Sequence, residues 1–162
     1  MKKSVRLYNV ILPIWLLVLF PQMWLIVLPG NLIMDCAVLL AVLTVMKRED
    51  KEAVTKKLWW RFWLLGFGAD AIGVAWMVLG LVLVLARPAW EDTLGYITHN
   101  SFAHPVAFLW TLAGVALAGV CIYFFDKKAM TACPQLDAHQ RHKIALAMAI
   151  ITAPWLFFIP MY

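Results

Sequence analysis

Between Arg61 and Arg87 the chain carries a single ionisable side chain, Asp70. An apolar run of that length matches the ~30 Å hydrocarbon layer of a bilayer and is longer than a soluble core helix requires. Similar runs recur before and after it. The 162 residues are 64% hydrophobic and only 14% charged, with mean hydropathy +0.82. About a quarter charged is usual for soluble domains. These blocks predict an all-α integral membrane protein built as one domain, a five-transmembrane-helix bundle. The expected spans are 7–28, 32–46, 58–85, 105–125 and 143–159, with a short amphipathic interfacial helix over 89–98. "LPGN" at 28–31 reads as a tight turn between the first two spans, with Asn31 capping the second. "KREDKEAVTKK" at 47–57 reads as a solvated loop, and 126–142 as a polar loop.

The net charge of +5 does not point to nucleic acid, because the cations follow the loops. Lys2, Lys3, Arg6, Lys47, Arg48, Lys51, Lys56, Lys57, Arg61, Lys127, Lys128, Arg141 and Lys143 fall on one side of the expected bundle, and Arg87 alone on the other. By the positive-inside rule the N-terminus is cytoplasmic and the C-terminus outside, in a bacterial inner membrane. "MKKSVR" resembles a signal-peptide n-region, but the apolar stretch behind it has no small-residue cleavage site, so no removal is expected. Trp59, Trp60 and Trp63 at one end and Trp24 and Trp90 at the other read as interfacial anchors. Cys36, Cys121 and Cys133 form no CxxC pair and predict no disulfide framework.

Asp70 is the feature that composition does not explain. It lies twelve residues beyond Leu58, ~18 Å along a helix and near the bilayer midplane. A charge there costs at least ~2.5–3.5 kcal/mol on insertion scales, so the residue should face protein or water. Without a cation at that depth, burial favours the neutral acid. At helical spacing Asp70 shares a stripe with Trp63, Gly66, Gly73, Met77 and Gly80, and small residues allow close helix approach. Ala107, Thr111, Gly114, Ala118 and Cys121 form a matching stripe, expected to pack against the first and to bring Thr111 near Asp70 or Asp35. Asp35 is expected in the first turn of its helix, stabilised by the helix dipole near the outer surface. Gln22, in "FPQMW", is expected at a proline kink. Asp70, Asp35, Thr111, Gln22 and Trp63 are thus the expected ion or substrate pathway, and Gly66, Gly73, Gly80, Gly114 and Ala118 the packing positions.

"GFGAD" at 66–70 departs from the GxGD signature of intramembrane aspartyl proteases, since its Asp comes one residue late. A second Asp at the same depth is also not expected. The first loop lacks the Trp-Pro-rich segment of translocator proteins. One intramembrane acid among tryptophans is similar to the small multidrug exporters, which have four spans and a Glu in the first. His99 with His104, and His139 with His142, are read as loop or headgroup residues rather than a metal site. No catalytic motif, cofactor or metal is expected. The expected function is a proton- or cation-linked transporter or channel using Asp70, the alternative a non-catalytic accessory or assembly subunit. The lipid bilayer is the expected partner, with a second copy or another membrane protein.

Overall fold

The computed structural model describes residues 24–160, and these are helical with no strand. Four α-helices dominate: α1 (Trp24–Val45), α2 (Lys51–Ala86), α3 (Pro105–Ala129) and α4 (Ala138–Ile151). Of these, α1, α2 and α3 are long and apolar enough to cross a membrane. Gln22 and the expected span 7–28 lie outside the described residues, except for the last residues of that span, which are part of α1. Each helix packs on the next, and α4 returns to α1, so the four close into an up-and-down ring.

Five boundaries differ from the sequence reading, among them the end of α3, which runs to Ala129 rather than 125. Residues 28–31 are helical, with Pro29 inside α1. Proline removes one backbone donor, and a membrane bundle can re-satisfy the freed backbone from neighbouring helices. The Trp63 indole donates to the Leu28 carbonyl at 3.0 Å, tying α2 to α1 beside Pro29, although the carbonyl that the proline itself frees is that of Leu25. The charged segment expected as a loop joins α2 from Lys51 onward. Its buried Val54, Leu58 and Phe62 repeat every four residues, so one apolar stripe continues beneath the charges. At 36 residues α2 is ~54 Å long and must extend beyond a ~30 Å hydrocarbon layer.

The expected span 143–159 is instead α4, which starts earlier and stops at Ile151. Asp137 and Gln140 form a capping box that starts it in the expected loop. Pro154 ends it, because a proline cannot bond to the carbonyl four residues back. That carbonyl, Ile150, accepts from the Trp155 indole at 2.8 Å. Fourteen residues fall short of the ~20 needed to span. The expected helix over 89–98 is replaced by 3-10 turns at Pro88–Trp90 and Leu94–Thr98. Leu94 is buried while Trp90 is exposed, so they do not share the expected face.

Helix α1 ends in a Schellman motif, which opens the α1–α2 connection. Arg48 N–H donates to Leu43 O and Lys47 N–H to Thr44 O, with Lys47 at φ 53°. Arg48 then forks onto Asp50 at 2.8 and 2.7 Å and reaches Gln135 O and the Gln140 side chain. The paired guanidinium holds the Asp50 carboxyl below its ordinary value. This contribution is present above the ordinary carboxylate pKa and is lost as acid protonates Asp50. The clamp places the α1–α2 and α3–α4 connections at the same end of the bundle.

At Gly73 an added Cβ would lie 3.1 Å from Ala118 Cβ and from the Phe157 ring, and 3.4 Å from Gly114 O. At Gly80 it would lie 2.6 Å from Trp110 Nε1 and 2.7 Å from Ile97 Cδ1. Trp76 and Trp110 stack at 4.5 Å between these points, and the Trp76 indole donates to Trp110 O. Gly73→Val is expected to destabilise the bundle by roughly 1–3 kcal/mol through overpacking. Lys47→Gly is expected to stabilise it by roughly 0.5–1 kcal/mol by removing left-handed strain. Unfolding of the purified variants in one detergent checks both signs.

Candidate functional site

Gly66 to Asp70 is the stretch of α2 where two other helices deliver their polar groups. An added Cβ at Gly66 would sit 3.6 Å from Asp35 Oδ2 of α1. One at Gly68 would sit 3.9 Å from the Phe125 ring of α3, and Asp126 follows Phe125. Asp70 itself is one helical turn beyond Gly66, ~6 Å along the axis. Three carboxyls from three helices therefore share one neighbourhood.

Asp35 is not in a first turn. It stands mid-way along α1, which already runs helically at Trp24. The stabilisation expected from the N-terminal dipole therefore does not apply, since that effect fades within a turn. The depth difference expected between Asp35 and Asp70 shrinks for the same reason. Asp126, expected in a polar loop, belongs to the last turns of α3 and is 1% exposed. It shares a helix face with buried Ile122, Ala129 and Met130, all in the apolar core with Leu39, Leu58 and Ile144. A carboxylate near a helix C-terminus also opposes the dipole. Position and burial both make Asp126 expensive to hold ionised.

Asp70 Oδ1 and Asp126 Oδ2 are buried and have no hydrogen-bond partner among the described residues. The ion pair among the described residues is Arg48–Asp50, at the connecting end. Arg61 lies on α2 below the cluster, its guanidinium 5.2 Å from the centre of the Trp60 ring. The three carboxyls are thus gathered without a cation to balance them. Among the described residues no group of three His, Cys, Asp or Glu side chains is arranged to hold a metal ion. The three cysteines are free.

Thr111 is not with them. Its hydroxyl pairs with Ser101 at 2.8 Å in a buried contact between α3 and the 86–104 connection. Gly73 lies against Ala118, and Thr111 is seven residues, ~10 Å, further toward the opposite end of α3. Trp63 is bonded to the α1 backbone and stacks edge-on with Phe67 at 5.5 Å. Gly73, Gly80, Gly114 and Ala118 all lie in the α2–α3 contact, whereas Gly66 faces α1 through Asp35. His104 accepts from Val106 N–H and caps α3. His142 bonds the Tyr123 hydroxyl at 2.9 Å. An open groove of about 360 Å³ between Phe102, Phe108, Leu112, Trp155 and Phe158 is lined only by apolar side chains.

The sequence reading missed Asp126. Its signal was present: Ile122, Asp126, Ala129 and Met130 continue the helical spacing of Ala118, but Lys127 and Lys128 beside it suggested a loop. Thr111→Val is expected to cost roughly 1–3 kcal/mol by leaving the buried Ser101 hydroxyl unpaired. It should leave the reactivity of Asp70 toward a carbodiimide unchanged. Thermal unfolding and labelling of the same variant check both statements.

No protein-family profile, no curated protein and no solved structure matches the chain.

Proposed function

We propose that this protein is a small multi-pass transporter or channel of the cytoplasmic membrane, moving a proton or cation past Asp70. The observation that carries this reading is that Asp35, Asp70 and Asp126 all border the Gly66–Asp70 stretch of α2 without a balancing cation, two of them with unpartnered buried oxygens. Carboxyls at membrane depth are costly, and their usual role is to relay protons or to coordinate ions. A cluster spread over three helices gives a proton or cation successive acceptor oxygens. Asp126, nearest the basic end, would be the inner station, and Asp70, further along α2, the next.

In this reading the end that gathers Lys47, Arg48, Lys127, Lys128 and Arg141 faces the cytoplasm, by the positive-inside rule. The five-span arrangement, with residues 7–28 as the first span and the C-terminus outside, belongs to the same proposal. The accessory-subunit alternative rested on glycine stripes free to bind a partner's helices. Gly73, Gly80 and Gly114 are occupied within the chain, which supports the transport reading over it.

The test is flux. Purified protein in sealed vesicles, loaded with a pH-sensitive dye and driven by a potassium diffusion potential, is expected to acidify the lumen faster than empty vesicles. Asp70→Asn and Asp126→Asn should each return the rate to the empty-vesicle background while folding normally. Replacing the driving gradient with sodium or potassium separates proton from cation movement. Wild-type vesicles that match empty ones in every gradient, or variants that keep the full rate, would sink the proposal.

A further inference from the structure

The basic end of the bundle holds one cluster that is organised rather than merely charged. Lys127 Nζ donates to the Tyr123 hydroxyl at 3.3 Å and sits 5.4 Å from the centre of its ring. The same hydroxyl bonds His142 Nδ1 at 2.9 Å, linking α3 to α4. We propose that Tyr123, Lys127 and His142 form a seat for the phosphate of an anionic phospholipid at the membrane surface.

Three observations support the seat. The first is charge. Lys127 is exposed, and among the described residues no carboxylate pairs with it. The neighbouring Asp126 is turned into the core, and Asp137 is committed to the Gln140 N–H of its own cap. The second is donor supply. A lysine has three N–H donors, and one is used on Tyr123, so two remain for an anion. His142 spends Nδ1 on Tyr123 and keeps Nε2 for the outside. The tyrosine fixes Lys127 and His142 at one spacing, unlike a lysine free on its stem.

The third observation selects a lipid over other phosphate sources. On α3, Phe124 falls between Tyr123 and Lys127 in sequence and Val120 one turn before it, 61% and 53% exposed. On α4, Leu146 and Ile150 lie one and two turns beyond His142, 44% and 57% exposed. A phospholipid presents its phosphate and its acyl chains in the same order. Basic clusters at the ends of membrane helices recognise anionic headgroups in this way.

The test uses the full chain in detergent, titrated with phosphatidylglycerol or phosphatidylcholine and read by native mass spectrometry of retained lipid. Phosphatidylglycerol should be retained in preference. Lys127→Gln should weaken that retention about fivefold, the loss of one surface cation. His142→Ala should weaken it too, whereas Lys56→Gln, which removes the same charge from α2, should not. Equal retention of the two lipids would overturn the proposal. So would equal losses in Lys127→Gln and Lys56→Gln, which mean a diffuse field, or displacement of the lipid by millimolar inorganic phosphate, which means a free-anion site.

Discussion

Gly73, Gly114 and Ala118 set the distance between α2 and α3, and most of the bundle is arranged around that contact. Between helices in lipid there is little hydrophobic drive, because acyl chains are as apolar as leucine. What remains is close van der Waals packing, which small residues permit. Gly73 admits Ala118 and the Phe157 ring, and Gly114 admits Trp76 and Met77. The Trp76–Trp110 stack and the indole bond to Trp110 O then hold the two helices in register. With α2 and α3 so placed, the 86–104 connection is drawn down onto Gly80 through Ile97, and Ser101 meets Thr111.

The same register brings the acids together. Phe125 reaches Gly68 because Ala118 sits at Gly73, two turns of α3 away. Asp126 is carried inward by that placement, among aliphatic side chains that offer it no hydrogen bond. Asp35 arrives from α1, whose passage through Pro29 is stitched to α2 by Trp63. An apolar core would be more stable with a leucine in place of any of the three. A chain that keeps three such groups in one neighbourhood accepts a stability cost, and the proposed movement of charge across the bundle would give that cost a purpose.

The basic end is organised on two scales. Arg48 locks the α1–α2 turn to the start of α4 through Asp50, Gln135 and Gln140, a link between segments far apart in sequence. Tyr123 and His142 bridge α3 to α4 on an exposed side of the bundle. In the proposed orientation the remaining lysines of that end contribute through charge alone, the quantity the positive-inside bias uses.

Much of this was legible from residue order. Long apolar blocks dictate helices because backbone groups in hydrocarbon must be bonded within their own segment. The spacing of Gly73, Gly80, Gly114 and Ala118 marked close-approach faces, and the isolation of Asp70 marked a polar group that should avoid lipid. Boundaries were not legible where local punctuation competes with neighbours. Pro29 stays inside α1 while Pro154 stops α4, and the difference lies in what is packed alongside, not in the proline. Asp126 looked like a loop residue because two lysines follow it, and only the α2–α3 register turns it inward. Residue order by itself determined the helical class, the candidate span in α2 and the existence of a buried acid. Tertiary packing decided which acids meet and that Thr111 is not among them, because those outcomes depend on helix register, which no single segment encodes.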